Sequence, residues 1–416
     1  MKFCIKSLGC KQNALEGQII QNELIKSGYV EVSDIKDADI YILNSCTVTA
    51  HSDSEANYLL NRAKKLNPSI KTVLTGCCAQ VYKLHKDFNY SDIDLIIGNT
   101  EKLNIADYIE KSGLFVDDIL KKNVFENKFL LNSSQTRVNI KIQDGCNNRC
   151  SYCIIPYARG NSRSNSIENI IEQVNLVIKS GIKEIVLTGI HIGQWGLEFN
   201  KTLLDLLKEI EKTEIPRYRL GSLYINEIDD NMIEFLSKSD KFCPHFHLSL
   251  QSMCDKTLEN MNRLYSVSDA LDVIEKLHKS FEAPYLGCDI IVGFPNETDE
   301  DFNITYNNLK RAKLSSIHCF PYSMRENTPA SKMPQVQNSI KTERSKKIME
   351  LSNKLHKEFL EKNKNKKAQI LIQKKSPKTG LYSAVTKNYI KIYFKSDDEN
   401  LRHTLKNVDL GDYELS

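Results

Sequence analysis

The 416-residue sequence predicts an α/β protein in three parts: an N-terminal open parallel sheet, a central parallel barrel of six strand–helix repeats, and a small all-β end. Three observations predict it. Strand and helix patterns alternate from Lys2 to Phe320, the order that builds parallel sheets covered by helices. The last fifty or so residues switch to short alternating strands without helices between them, the pattern of a small β module. Composition is that of a soluble globular chain, with 41% hydrophobic and 26% charged residues, which excludes fibrous, collagenous and disordered classes.

Taken in order, Lys2–Leu8 reads as a strand, Glu16–Lys26 as a helix, Asp39–Leu43 as a strand and Ser54–Leu66 as a helix. Ile70–Leu74 and Asp94–Ile97 follow as strands, completing a βαβα series with helices expected on both faces. Residues 121–135, with Lys121-Lys122-Asn123 and Asn132-Ser133-Ser134-Gln135, carry little periodicity and read as a linker. The second series has strands at Val138–Ile142, Glu184–Leu187, Arg217–Leu223, His245–Leu250, Gly287–Val292 and Ser316–Phe320. Between them lie helical patterns at Ile167–Lys179, Leu203–Lys212, Asp230–Lys238, Val267–Ser280 and Asp299–Ala312, so six βα units imply an open or closed barrel. Residues 341–365 read as a basic helix with Ile348, Leu351, Leu355 and Phe359 on one face. Strands follow at Ala368–Ile372, Leu381–Val385 and Tyr389–Phe394. The resulting divisions are 1–120, a linker 121–135, 136–362 and 363–416.

Net charge is only +4, but residues 341–376 hold twelve Lys/Arg against four Asp/Glu, a net +8. The rest of the chain therefore carries about −4, and the basic block is a candidate phosphate-binding surface, or else a solvated helix face. The start Met1-Lys2-Phe3-Cys4-Ile5-Lys6 is followed by no apolar stretch of a secretory signal, and no run approaches the ~18 apolar residues of a membrane span. The expectation is a cytoplasmic protein without a membrane partner, whose thiols stay reduced.

Twelve cysteines then need a purpose. Cys10, Cys46 and Cys77 each follow a strand, in Ser-Leu-Gly-Cys, Ile-Leu-Asn-Ser-Cys and Leu-Thr-Gly-Cys. The carboxyl ends of parallel strands share one edge of the sheet, so three thiols distant in sequence can converge on one metal site. Cys146-Asn-Asn-Arg-Cys150-Ser-Tyr-Cys153 follows the first strand of the barrel with C-x3-C-x2-C spacing. Four cysteines normally hold a cubane [4Fe–4S] cluster, so three leave one iron open to a substrate or cofactor. Zinc would need a fourth ligand, and between Asp144 and Glu168 only these three cysteines qualify, so that reading requires a distant donor. A disulfide would strand the third thiol.

At this motif the sequence resembles the radical S-adenosylmethionine (SAM) enzymes, and its surroundings resemble their methylthiotransferase branch. The resemblance rests on Asp-Gly-Cys146…Cys150-Ser-Tyr-Cys153-Ile-Ile-Pro-Tyr-Ala-Arg-Gly, Leu187-Thr188-Gly189 and His245-Phe-His-Leu-Ser-Leu-Gln-Ser252. It extends to Asp289-Ile-Ile-Val-Gly-Phe-Pro295, Phe320-Pro-Tyr-Ser-Met-Arg-Glu-Asn-Thr-Pro-Ala330, Leu-Gly-Cys10-Lys-Gln-Asn, Asn-Ser-Cys46-Thr-Val and Thr-Gly-Cys77-Cys-Ala-Gln, essentially the whole chain. The likeness is strongest to the branch that acts on N6-threonylcarbamoyladenosine beside the anticodon of tRNA. Another tRNA adenosine derivative, or a ribosomal protein side chain, is the alternative target. A non-catalytic iron–sulfur RNA-binding module is a further reading.

The resemblance implies that Cys146, Cys150 and Cys153 hold a SAM-binding [4Fe–4S] cluster, and that Cys10, Cys46 and Cys77 hold a second one that serves sulfur delivery. It implies a 5′-deoxyadenosyl radical that takes hydrogen from C2 of the adenine, then sulfur insertion, with a second SAM supplying the methyl group. A partial (β/α)6 radical SAM barrel, an electron donor protein and an anticodon stem-loop partner follow from it. So does a TRAM-like RNA-gripping barrel around Tyr382-Ser-Ala-Val-Thr-Lys-Asn388-Tyr389-Ile390. Gly189, Ser249, Gln251, Asp289 and Arg325 are candidate contacts of SAM or substrate at the strand ends.

The chain departs from the family pattern at four places. Cys78 stands where an aromatic is usual and is the alternative to Cys77 as a ligand; neighbouring side chains point apart, and Cys77 keeps the motif register. Met253-Cys254 replaces a common Gly-Ser. Asn296 and Asn327 stand where glycine is frequent, and asparagine best tolerates positive φ among the other residues. Cys4, Cys243, Cys254, Cys288 and Cys319 read as core residues, Trp195 as core or interface filler, and His191, His245 and His247 as packed histidines.

Overall fold

A computed structural model of the protein describes residues 1–84, 88–129, 131 and 135–416. The first domain contains β1 (Lys2–Ser7), α1 (Lys11–Lys26), β2 (Val30–Glu31), β3 (Ile40–Ser45), α2 (Ala50–Leu66), β4 (Lys71–Gly76), α3 (Cys77–Gln80), β5 (Leu95–Ile97) and β6 (Gly113–Phe115). All six strands are parallel, in the order β2-β1-β3-β4-β5-β6. One face (Phe3, Ile40, Ile42, Val73, Leu95) packs on Ile20 and Leu24 of α1. The other (Tyr41, Leu43, Leu74, Ile96) packs on Ala56, Leu60 and Ala63 of α2, so helices cover both faces as expected. Both helices start earlier than apolar periodicity suggests. Cys10 is the extended N-cap of α1, whose first turn buries the polar Gln12 and Asn13, and Thr49 caps α2 by accepting from the Ser52 amide.

The second series holds β7 (Arg137–Lys141), the short antiparallel pair β8 (Gln143–Asp144) and β9 (Arg163–Ser164), with α4 (Ile155–Arg159) between them. It continues with α5 (Ile167–Lys179), β10 (Glu184–Thr188), α6 (Leu203–Glu211), β11 (Arg217–Leu220), β12 (Ser222–Leu223) and α7 (Asp230–Ser237). Next come β13 (His245–Gln251), α8 (Asp255–Asn260), α9 (Val267–Ser280), β14 (Tyr285–Val292), α10 (Asp299–Ala312) and β15 (Ser316–Pro321). The expected strand 217–223 is broken at Gly221: β11 pairs with β10, while β12 pairs with β13. The sheets β7-β10-β11 and β12-β13-β14-β15 therefore run in chain order as one open parallel half-barrel. Helix starts match expectation because each is capped: Ser166, Thr202, Asp229, Ser266 and Thr298 all accept a first-turn amide. Trp195 is fully buried and donates its indole N–H to Asn165 O at 2.9 Å. Met253 is a fully buried member of the barrel core, which accounts for an apolar side chain there.

The segment expected to be a linker is held against the barrel. Phe129 and Leu131 pack on its core, and Asn127 accepts from Asn165 and Gln173; residues 130 and 132–134 lie outside the described residues. Helix α11 (Asn338–Asn363) lays Ile348, Leu351, Leu355 and Phe359 inward as expected. Two cations of the basic block turn inward too. Arg344 pairs with Glu297 at 2.6 Å and Asp299 at 2.7 Å, and Lys341 donates to Tyr322 O at 3.2 Å, so neither adds to an outward phosphate surface.

The end folds as β16 (Lys367–Lys375), β17 (Tyr382–Thr386), β18 (Lys391–Phe394) and β19 (Leu405–Asp409), antiparallel in the order β18-β17-β16-β19. Ser416 exchanges backbone hydrogen bonds with Lys391, so the chain end returns to the free edge of β18 and curls the sheet into a small barrel. The sequence reading lacks β19, whose exposed polar residues carry no apolar alternation, and extends β18 back to Tyr389, which instead turns with φ +70°. No helix among the described residues is long and apolar enough to cross a membrane.

Candidate active site

The order β2-β1-β3-β4-β5 reverses direction between β1 and β3, and open α/β sheets bind ligands in the crevice beyond the strand ends at such a point. Cys10 follows β1, Cys46 follows β3 and Cys77 follows β4. Gly9 at φ +90° lets the chain pass beside Cys46: a Cβ there would sit 2.6 Å from the Cys46 Cβ and 2.7 Å from its Sγ. Asn13 ties the loops together, donating to Leu8 O, Asn44 O and Ser45 O at 2.8, 3.0 and 3.2 Å. Burial, then the nearby Cys77 and Cys10 thiols, push the Cys46 thiol up to about 11. Cys78 points elsewhere, fully buried with its Sγ 3.8 Å from the Tyr90 hydroxyl.

The second set occupies the loop between β8 and β9. Gly145 at φ +74° leaves no room for a Cβ, which would fall 1.9 Å from Asn161 O, and the Cys146 amide donates to Gly160 O at 3.0 Å. Burial, followed by Cys150, raises Cys153 to about 12, and burial raises Cys146 to about 11. His191, in the loop after β10, places Nδ1 3.2 Å from Cys146 Sγ, stacks on Tyr224 and bonds Glu227 through Nε2. Arg263 reaches Cys150 Sγ at 3.5 Å and lies 3.9 Å over the Tyr224 ring, while its buried Nε has no partner among the described residues.

A buried ionic cluster joins the two sets. Arg159, last residue of α4, donates Nε to Cys77 Sγ at 3.2 Å and Nη1 to both Glu16 carboxylate oxygens at 2.6 and 2.8 Å. Glu16 also holds Lys102 at 2.5 Å and Lys141 at 2.8 Å, and Lys141 reaches Asp144 at 2.8 Å, two residues before Cys146. Burial disfavours the Glu16 charge, but Arg159, Lys102 and Lys141 hold its carboxyl well below the usual range. Both thiol sets are soft donors, uncrosslinked, and faced by N–H groups that suit thiolates. That donor chemistry fits iron–sulfur ligation, three ligands to a set.

The other candidates divide. A Cβ on Gly189, after β10, would meet Gln143 O at 2.8 Å, so glycine permits close packing beside the Cys146 loop. Ser249 O accepts from Arg263 Nη2 at 2.5 Å, and Gln251 ends β13 at φ +62°, both at the carboxyl edge near the second set. Asp289 pairs with His247 at 3.0 Å and His318 at 3.5 Å inside the barrel. Arg325 departs from expectation: it bonds Asp53 at 2.5 Å and Thr47 at 2.9 Å, bracing the Cys46 loop across the domain boundary. Of the cysteines expected in the core, Cys243, Cys254 and Cys288 are buried, while Cys4 and Cys319 are only partly so. Glu16, Arg159 and Arg263 have no role in the sequence reading, and His191, expected there as a packed histidine, is buried and also meets the Cys146 sulfur; its place in a loop directly after a barrel strand is the one positional signal.

A parallel half-barrel with three thiols at its carboxyl edge defines a radical SAM enzyme. The radical SAM superfamily profile matches residues 140–309, and that of "Uncharacterized protein family UPF0004" matches residues 2–98. The threonylcarbamoyladenosine tRNA methylthiotransferase MtaB of Aquifex aeolicus is 38% identical, over 94% of this chain and 96% of that one. MtaB of Bacillus subtilis is 35% identical over 96% and 92%, and a tRNA-2-methylthio-N(6)-dimethylallyladenosine synthase of Clostridium botulinum 34% over 85% and 82%. The solved radical SAM methyltransferase TsrM of Kitasatospora setae shares the fold, with TM-score 0.57 and 14% identity over 79% of this chain and 75% of that one. The chain belongs to the radical SAM tRNA methylthiotransferase family. As a member it transfers a methylthio group and uses SAM and two [4Fe–4S] clusters.

Proposed function

We propose that the protein adds a methylthio group to C2 of N6-threonylcarbamoyladenosine next to the anticodon of tRNA, in the cytoplasm, with electrons from a donor protein. The observation that carries the reading is the convergence of two three-thiol sets joined by the Arg159–Glu16 cluster, in a chain 33–38% identical to enzymes named for this nucleoside. Cys146, Cys150 and Cys153 hold the SAM-side cluster, and Cys10, Cys46 and Cys77 the second. Cys77 rather than Cys78 is assigned because its sulfur meets Arg159 and lies near Cys46, whereas Cys78 is turned to Tyr90. When bound, these groups supply the electron that cleaves SAM and the site that carries sulfur.

The chain's own residues bind and orient. Gly189, Ser249 and Gln251 line the SAM side, Arg159 and Arg263 aim N–H groups at the Cys77 and Cys150 sulfurs, and His191 meets the Cys146 sulfur through Nδ1. Such donors stabilise thiolate charge and set reduction potential. Residues 1–120 form the sulfur-cluster domain, 136–362 the radical-generating barrel, and 363–416 the TRAM-like RNA grip, with 121–135 connecting the first two. Nucleoside mass spectrometry of tRNA from a deletion strain tests the proposal. The 2-methylthio derivative of N6-threonylcarbamoyladenosine should vanish and return on complementation. Its persistence where no second enzyme makes it refutes the assignment. Loss of the dimethylallyl derivative instead, or of a ribosomal-protein modification, moves the chain to that target.

A further inference from the structure

Side chains alternate along the barrel strands, and the alternation fixes which residues face the cavity. Phe246 and Leu248, Cys288 and Ile290, and Ile317 belong to the core under the helices. Their neighbours His247, Asp289 and His318, on three adjacent strands, therefore face the concave side, His247 level with Gly287 and so diagonal to Asp289. Asp289 and His318 are direct partners in the β14–β15 register.

Asp289 accepts from both imidazoles. His247 Nε2 lies 3.0 Å from Oδ2, and His318 Nδ1 lies 3.5 Å from Oδ1. Because Nδ1 of His318 is committed to the carboxylate, its Nε2 is left toward the cavity, and the side chain is 54% exposed. The hydrogen bond from Asp289 raises the His318 pKa, while burial and the field of Lys11, beside Cys10 in the other domain, oppose it. The site is thus polar: Nε2 of His318 faces the cavity and carries an N–H when the ring is protonated, and Lys11 is a second cation near it.

We propose that His318, held by Asp289 and His247, is the residue that receives the carboxylate of the threonylcarbamoyl substituent and selects it over an uncharged N6 group. The proposal rests on the function proposed above. A dimethylallyl group has no acceptor for Nε2 of His318, and lodging it there would desolvate the Asp289–His318 pair without compensation. A carboxylate supplies a charge-assisted hydrogen bond.

The test uses the reconstituted holoenzyme and anticodon stem-loop RNAs carrying N6-threonylcarbamoyladenosine as the free acid or as its methyl ester. The expected result is a KM about tenfold lower for the acid, the size of one charge-assisted hydrogen bond. In His318→Gln that preference should collapse through a rise in the KM of the acid. Equal KM values in the unaltered enzyme overturn the proposal, as does a preference that survives in His318→Gln. A tightly held, stoichiometric divalent metal that disappears in His318→Gln also overturns it, since the three ligand atoms lie within 4.8 Å of one another and would then form a metal site. An enzyme that turns over dimethylallyl RNA but neither form of the threonylcarbamoyl RNA refutes the function as well as this inference.

Discussion

Glu16→Gln should weaken the docking of the first domain on the barrel, because Glu16 is the anion shared by cations from both. Its carboxylate holds Lys102 at 2.5 Å, Arg159 at 2.6 Å and Lys141 at 2.8 Å, and Glu16, Lys102 and Arg159 are each about 1% exposed. Removing one partner of a buried pair costs roughly 3–5 kcal/mol. Asp144 remains for Lys141 at 2.8 Å and for Arg159 at 3.8 Å, so the cation left exposed to the loss is Lys102, with only Asn13 Oδ1 at 3.5 Å. The lower end therefore applies, about 3 kcal/mol, or roughly a hundredfold in the opening equilibrium. Hydrogen exchange of the metal-free protein, read on β4 and β7, gives the value locally without assuming two-state unfolding. The pH dependence supplies a second check. Glu16 has a folded pKa depressed below its unfolded value of about 4.3, so its contribution is fully present above that value and is lost as pH falls. The deficit of the variant should thus be largest at neutral pH and close on acidification. Adding Lys102→Met should recover part of it by removing the orphaned cation. A deficit under about 1 kcal/mol at pH 7, or one that does not change with acid, refutes the reasoning.

Two further outcomes follow from the same geometry. Reconstituted protein should hold about eight irons, falling to about four in Cys77→Ala and staying near eight in Cys78→Ala; the reverse pattern would exchange the two assignments. Asn296→Ala and Asn327→Ala should each cost about 1 kcal/mol in denaturant unfolding, because both residues sit at φ +64°, while Asn296→Gly should avoid that cost. An unchanged midpoint in Asn296→Ala would show that the turn relaxes.

The sequence made legible what repeats or caps. Strand order located the first thiol set and C-x3-C-x2-C spacing the second, and the five helix starts expected at Ile167, Leu203, Asp230, Val267 and Asp299 all fall to the residue, each behind a side-chain N-cap. Asn296 and Asn327 adopt the positive φ expected where glycine is frequent. Other features left no pattern. Arg217–Leu223 reads as one strand because Gly221 interrupts pairing without interrupting the run. Glu16 reads as one more charge on an amphipathic helix, and only the arrival of Lys102, Lys141 and Arg159 from distant positions makes its burial tolerable. Lys341 and Arg344 inflated the basic block for the same reason: local charge does not reveal which cations find Glu297, Asp299 or a carbonyl inside the fold.

What these illegible residues do together is fix the separation of the two thiol sets. The segment from Cys146 to Arg159 begins with the sulfurs of one set and ends, through the single turn of α4, on a guanidinium bonded to Cys77 of the other. Its two ends are fastened to the same network, Arg159 through Glu16 and the start through Asp144, which Lys141 and Arg163 hold at 2.8 and 3.3 Å. Parting the domains at this point would exchange these hydrogen-bonded ion pairs for water, so what the cluster fixes is the register of the two domains. Arg325, bonded to Asp53 and Thr47 near Cys46, is a second fastening between the barrel and the first domain. The spacing of the two thiol sets is therefore set by side chains from both domains, because Glu16 and Lys102 on one side and Arg159 and Lys141 on the other share one buried cluster.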